Sequence, residues 1–294
     1  MKRYGVPYKG SKNKIAKKII DYLPSATNFY DLFAGGCAIT DCAMQENKYK
    51  NYIINDIETD ITEMFIKATK GEYKNENRWI SRDKFYKLKD IDPYIRYCWS
   101  FGNNGRDYIY SKNIEPWKKA LHYARVLNDT SLLKEFGINS DGSRADIKAH
   151  HEEYKNKYIE WQLKKDKIDL CRSKQSLENL QNLDRLQSLE SLERLESLQG
   201  LESLERFNVD YKKIKIKPDS VIYCDIPYKN TNKYSTKFDY ERFYKWACEQ
   251  TQPIFISEYW MPEDRFECVL EIKAQSTLQS GAKSVIEKLF VPKK

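Results

Sequence analysis

Apolar residues in this chain recur with a helical period in some stretches and as short strand-like runs in others, and the changes of period mark out its elements. Residues 12–22 place Ile15, Ile19 and Ile20 on one helical face, with Ser11 as the predicted N-cap. Residues 28–32 read as a short strand running into a turn at Gly35 and Gly36. A helix follows over about 38–45, then a second strand at 52–54 that ends at Asn55 and Asp56. Another helix carries Phe65 and Ala68. Strand, glycine turn, helix, strand, acidic residue is the opening of a doubly wound nucleotide-binding fold. The pattern resumes late in the chain. Residues 220–224 predict a buried strand ending at Asp225, 240–250 a helix and 253–257 a strand. Residues 266–272 and 287–291 predict a closing antiparallel pair. The fold class expected is therefore α/β, a Rossmann-like sheet with an antiparallel last strand pair, split so that both halves of the chain complete it.

The intervening sequence has another character. Residues 99–108 are rich in Gly, Asn and aromatics, and 79–171 is expected to be an inserted, mainly helical subdomain between core segments 1–78 and 208–294. Residues 172–207 are of low complexity: leucine falls at every third position from Leu177 to Leu204, and Phe207 continues the series. A coiled coil alternates spacings of three and four. Steps of three turn each leucine about 60° backwards around a helix, so the stripe spirals with no single buried face. A dimerisation zipper is thus not expected. The stretch reads as an expanded repeat tolerated in a loop-like insertion, and the protein as a monomer.

Composition narrows the function classes. The 294 residues are 40% hydrophobic and 32% charged, as for a soluble domain with a real core. No apolar run approaches the ~20 residues of a membrane helix. The charged start, Met1 to Gly5, leads into no signal-peptide core, so a cytoplasmic protein with no membrane partner is expected. Seven scattered cysteines without a C-x-x-C pair, and three histidines, predict neither a disulfide framework nor a metal site. A net charge of +8 favours polyanionic partners, nucleic acid first.

Three constellations carry candidate chemistry. The first is Asp31-Leu32-Phe33-Ala34-Gly35-Gly36 at a strand end, where glycines let the backbone approach a ligand and a helix N-terminus offers free N–H groups. Asp56, about 20 residues on, suits ribose hydroxyls; the absence of G-x-G-x-x-G disfavours a dinucleotide. The second is Asp225-Ile226-Pro227-Tyr228 after a buried strand. It offers an acceptor beside a flat aromatic face, which suits a base flipped out of a duplex. The third is Pro7-Tyr8-Lys9-Gly10-Ser11-Lys12, where Tyr8 could cover a cofactor ring and Lys12 meet a carboxylate.

In this order the three resemble the Dam-like family of DNA adenine-N6 methyltransferases, with its P-Y-x-G-x-K, D-x-F-x-G-G and D-P-P-Y segments. The resemblance covers most of residues 4–110 and 208–294; the leucine repeat lies outside it. It implies S-adenosylmethionine as cofactor, contacted by Tyr8, Lys12, Phe33, Gly35, Asp56 and Asp225, and double-stranded DNA as substrate. It implies a catalytic motif of Asp225, Ile226, Pro227 and Tyr228. Asp225 and the Ile226 C=O would hold the two amino protons of a flipped-out adenine, and Tyr228 would stack on it. Asn103, Asn104 and Arg106 fall in the DNA-facing region, and Lys229 and Lys233 in a basic loop suited to phosphate, with Lys237 beyond them. There are two departures. Ile226 replaces the first proline of D-P-P-Y, keeping the C=O but losing the ring's rigidity. Cys37 stands where many relatives carry another glycine.

Rival readings keep the fold. Asp225 argues against cytosine-N4 and glutamine-modifying enzymes, which carry Ser or Asn there; RNA adenine stays open. A decayed paralogue that only binds DNA is the non-enzymatic alternative, opposed by intact Lys12, Asp56, Asp225 and Tyr228.

Overall fold

The computed structural model describes residues 3–165, 192, 194–196, 198, 203–229, 238–276 and 283–293. The chain divides into two compact units, Met1–Lys74 with Glu190–Lys294, and Asn75–Leu189.

The first unit opens with α1 (Ala16–Tyr22), β1 (Asn28–Asp31), α2 (Ala38–Gln45), β2 (Asn51–Asn55) and α3 (Thr59–Thr69). The second unit contains α4 (Arg82–Leu88), α5 (Pro93–Cys98), α6 (Glu115–Val126), α7 (Ser131–Glu135), α8 (Arg144–Ala149) and α9 (His151–Lys165). The first unit then resumes with β3 (Leu204–Phe207), β4 (Ser220–Cys224), a helix at Tyr240–Cys248, β5 (Ile254–Glu258), β6 (Phe266–Ser276) and β7 (Lys283–Pro292).

Among the described residues seven strands form one sheet of order β3-β2-β1-β4-β5-β7-β6. The pairs from β3 to β5 are parallel, and β7 runs antiparallel to both β5 and β6. This is the Rossmann-like sheet expected, closed by its antiparallel pair. The chain winds outward one way from β1 through β2 to β3, then returns to lay β4 against the other side of β1. Order reverses between β1 and β4, and in open α/β sheets ligands bind beyond the carboxyl ends of the strands at such a point. The register pairs Asp31 with Tyr223. Asp225, two residues on, therefore emerges beside the turn that follows β1.

The β strands read as apolar runs because both faces are covered: all four residues of β1 and all five of β4 are buried. A core cluster on one face combines Tyr30, Leu32, Ile222, Cys224, Ile226, Phe243, Trp246 and Ile256, among others.

Three local features differ from the sequence reading. Helix α1 begins at Ala16, with Ile15 rather than Ser11 at its N-cap. Residues 12–15 form a turn instead, in which the Lys12 C=O accepts from both Ile15 and Ala16. That leaves Lys12 outside the helix, with its side chain turned inward. Strand β3 falls inside the span assigned to the repeat. Its residues are partly or fully exposed at the sheet edge, so burial imposes no alternation for a sequence reading to detect. The end of the repeat is also not loop-like, since Leu192, Leu195 and Leu198 are all buried.

The second unit packs its own core from Ile114, Trp117, Leu121, Leu133, Phe136, Tyr154 and Tyr158. Its Gly/Asn-rich segment is closed by a bridge between Ser100 and Tyr108.

Candidate functional site

A cavity of about 450 Å³ opens at the carboxyl ends of β1, β2 and β4, within the size range of small-molecule sites. Tyr8, Lys12, Phe33, Gly35, Asp56 and Asp225 all line it, so the residues expected around a cofactor share one space.

Its floor is built from close backbone approaches. Gly35 has φ +47°, and a Cβ there would lie 3.1 Å from the Tyr8 ring. A Cβ on Gly36 would lie 2.8 Å from the Val6 carbonyl. Val6 N–H donates to the Gly36 C=O at 2.9 Å, which ties the N-terminal segment to the glycine turn. Cys37 follows in the left-handed region at φ 57°. A glycine there would avoid the roughly 1–2 kcal/mol that a side chain costs in this conformation. Asp56 shapes the turn from the β2 side. It accepts from Gly35 N–H at 2.7 Å and Glu58 N–H at 2.9 Å, leaving each oxygen a second lone pair.

The charge on the wall is opposite to that of the whole chain. Six carboxylates line it (Asp31, Asp56, Glu58, Asp210, Asp225 and Asp239) against three cations, Lys9, Lys12 and Arg242. Asp31 is buried. Its Oδ2 accepts from the Thr40 hydroxyl at 2.8 Å. Its Oδ1 has no hydrogen-bond partner among the described residues. Burial pushes the Asp31 carboxyl up to about 7 and the Asp56 carboxyl up to about 6. An acidic, aromatic-walled cavity with an unsatisfied carboxylate oxygen suits a ligand that carries positive charge and a nucleoside. It does not suit a pyrophosphate.

The second constellation meets the first through Lys12. Its Nζ lies 3.0 Å from Asp225 Oδ1 and 3.8 Å from Glu287 Oε2. The same ammonium sits 4.5 Å from the centre of the Tyr228 ring. Burial raises the Asp225 carboxyl, and Lys12 opposes that rise. Tyr228 donates to Glu287 Oε2 at 2.6 Å and meets Tyr259 edge to face at 4.6 Å. It stands beside the cavity rather than in its lining. Pro227 lines the cavity, and its C=O accepts from the Tyr240 hydroxyl at 2.9 Å. Ile226 points the other way: its side chain is 1% exposed and belongs to the core cluster. Packing thus holds the backbone that a proline ring would otherwise stiffen.

The residues expected at DNA fall in both units. Lys229 is exposed, its ammonium 5.4 Å from the Trp260 ring, while its backbone N–H donates to Glu258 at 3.0 Å. Lys233 and Lys237 lie outside the described residues. In the second unit Asn103 donates to the Tyr97 C=O at 2.8 Å, and the Asn104 side-chain oxygen accepts from the N–H groups of Arg106 and Asp107. Both asparagines are spent on the turn, and Arg106 is left exposed at its tip.

Three carboxylates were not singled out by the sequence. Asp31 opens the glycine motif and falls within the strand that the sequence predicts over 28–32. Glu258 ends β5, buried and accepting from two backbone N–H groups, with its carboxyl pushed up to about 7 by burial. Its place at the carboxyl end of a parallel strand was the available signal. Glu287 lies on β7, and nothing in the local sequence marks it, because its partners Lys12 and Tyr228 are remote in the chain.

Among the described residues no group of three or more His, Cys, Asp or Glu could hold a metal ion, and no helix is long and apolar enough to cross a membrane. Residues 8–252 match the family model of the D12 class N6 adenine-specific DNA methyltransferases. No curated protein matches the chain.

Proposed function

The chain belongs to the D12 class of N6 adenine-specific DNA methyltransferases, and on that footing we propose that it transfers a methyl group from S-adenosylmethionine to N6 of an adenine flipped out of duplex DNA at a specific site. The observation that carries this reading is the meeting of Asp31, Gly35, Asp56 and Asp225 in one acidic cavity at the sheet's reversal point. The first unit is assigned the catalytic role and the inserted helical unit target recognition.

The residues present fit the cofactor. The unpartnered Asp31 oxygen suits its ammonium, Asp56 its ribose hydroxyls, and Phe33 and Tyr8 its ring system. When bound, S-adenosylmethionine supplies a methyl group on a cationic sulfur. The protein's part is position and electrostatics. The Asp225 carboxylate and the Ile226 C=O accept the two amino N–H groups of adenine. Held this way, the nitrogen leaves the ring plane and its lone pair is aimed. Lys12 fixes the Asp225 carboxylate and also caps the Tyr228 ring. Glu287 fixes the Tyr228 hydroxyl, so the base-stacking face is set from two sides. No strong general base is required, because the amino proton becomes acidic only after attack.

Incubating the full chain with labelled cofactor and an adenine-containing duplex tests the reading: label should appear as N6-methyladenine. Tight duplex binding without transfer would instead support the non-catalytic alternative, which the assembled Lys12–Asp225 pair argues against.

The buried acids predict a pH dependence. A carboxyl raised by folding binds protons more tightly in the native chain than in the unfolded one. Stability of the ligand-free protein should therefore fall as pH rises from about 4 through about 7, the window set by Asp31 and Asp56. A cationic ligand needs these groups ionised, so cofactor affinity should rise over the upper part of the same range. Calorimetric titration at about pH 5.5 and about pH 8 should show weaker binding at the lower value; equal affinities would remove Asp31 from the role given to it.

Ile226→Pro restores the proline found in relatives but deletes buried methyl groups. It should cost about 1–2 kcal/mol of stability in urea unfolding while leaving the methyl-transfer rate within about threefold, since the C=O remains. A rate collapse without a stability loss would show that the isoleucine side chain acts directly in the site.

A further inference from the structure

The leucine repeat is the one prominent sequence feature that the reaction leaves unused, and its far end is built into the catalytic unit. Leu192, Leu195 and Leu198 are buried at spacings of three. The Leu198 N–H donates to the Leu195 C=O at 3.1 Å, so the chain turns between the last two of them. Glu196 pairs with Lys74 at 2.9 Å on the outside of this stretch.

Between those leucines Arg194 does something a tolerated insertion has no need to do. It reaches Asp41 on α2, a carboxylate whose side chain is 0% exposed while that of Arg194 is 27% exposed. The guanidinium spans both oxygens, Nη2 to Oδ2 at 2.5 Å and Nη1 to Oδ1 at 3.4 Å. Asp41 Oδ1 also accepts from Gln45 at 2.8 Å, and Oδ2 accepts from the Gly5 N–H at 2.5 Å. A charge this deep is costly to bury without a partner, and the Arg194 guanidinium supplies one.

Gly5 is the next link. Its backbone lies so close to the glycine turn that a Cβ would meet the Gly36 carbonyl at 2.2 Å. Val6 N–H donates to that same carbonyl, and two residues on Tyr8 lies over Gly35 in the cavity wall. We propose that Arg194, supplied by the leucine-rich stretch, is a positioning residue for the cofactor cavity: through Asp41 it holds the 4–8 segment against the glycine turn. The described stretch around Arg194 thereby becomes a brace for that segment. The link to cofactor rests on the function proposed above; the bracing itself does not.

The test compares the full-length chain with Arg194→Gln, Arg194→Lys and Asp225→Ala. Amide hydrogen exchange reads the brace without any ligand. Arg194→Gln should speed exchange of the Gly5 and Val6 amides about tenfold, Arg194→Lys should restore part of the protection, and Asp225→Ala should leave it unchanged. Calorimetric titration with S-adenosylmethionine reads the consequence. Arg194→Gln should raise the dissociation constant, and KM for the cofactor, about tenfold, with kcat at saturation nearly unchanged. Faster exchange at Gly5 and Val6 with an unaltered dissociation constant would overturn the positioning role and leave Arg194 as a fold contact. Unaltered exchange would overturn the brace. Should the parent chain bind no S-adenosylmethionine, the proposed function fails, and exchange at Gly5 and Val6 still decides for or against the brace.

Discussion

Replacing Asp225 by alanine is expected to lower methyl transfer by about 10³-fold or more while leaving the fold and duplex binding intact. In the proposed reaction Asp225 holds one amino proton and so directs the nitrogen lone pair, a contact worth most as the nitrogen becomes tetrahedral. The fold should survive because the carboxylate gains little from its surroundings. Burial raises its pKa, and Lys12 keeps a second acid, Glu287, at 3.8 Å once Asp225 is gone. Asp225→Asn separates charge from shape: it keeps one acceptor oxygen and should retain more activity than alanine. The measurement is single-turnover methyl transfer to an adenine-containing duplex, with duplex affinity measured alongside. An alanine variant within about tenfold of the parent rate would remove Asp225 from the chemistry.

Gly5→Ala should be the most damaging single methyl group in the first unit. The added Cβ would lie 2.2 Å from the Gly36 carbonyl, 2.8 Å from Ala38 N and 2.9 Å from Ala38 Cα. All three are backbone atoms, so no side chain can swing aside. The left-handed φ of +68° adds a conformational penalty. Together these predict a loss of about 3 kcal/mol in denaturant unfolding and at least about a hundredfold weaker cofactor binding, because Tyr8 must withdraw with its segment. Gly10→Ala is the internal comparison. Its φ is +87°, but nothing lies within 4 Å of the added atom, so it should cost only the conformational part, about 1 kcal/mol. Equal losses in the two variants would mean that the close approach at Gly36 is not what holds the segment.

The two carboxylates that organise the site illustrate what could be read in advance. Asp225 was legible because a buried apolar run, Val221 to Cys224, ends on it, and the end of a parallel strand is where ligands bind. Glu287 was not, because its meaning comes from Tyr228 and Lys12, which stand 59 residues and far more away along the chain. Lys12 lay between these cases. Its motif was visible, but the helix expected to begin there starts at Ala16, and only the intervening turn aims its ammonium at Asp225.

Local chemistry determined the alternation of strands and helices, the glycine turn after β1 and the acidic strand ends, since each depends on residues a few positions apart: burial on both strand faces, backbone freedom at glycine, and charge excluded from the sheet interior. Tertiary structure decided how those pieces meet. It set β4 against β1, turned Ile226 into the core and seated Arg194 on Asp41. Those outcomes depend on which desolvated group finds which partner across the fold, and that is a matter of distances between remote segments, which spacing along the chain does not encode.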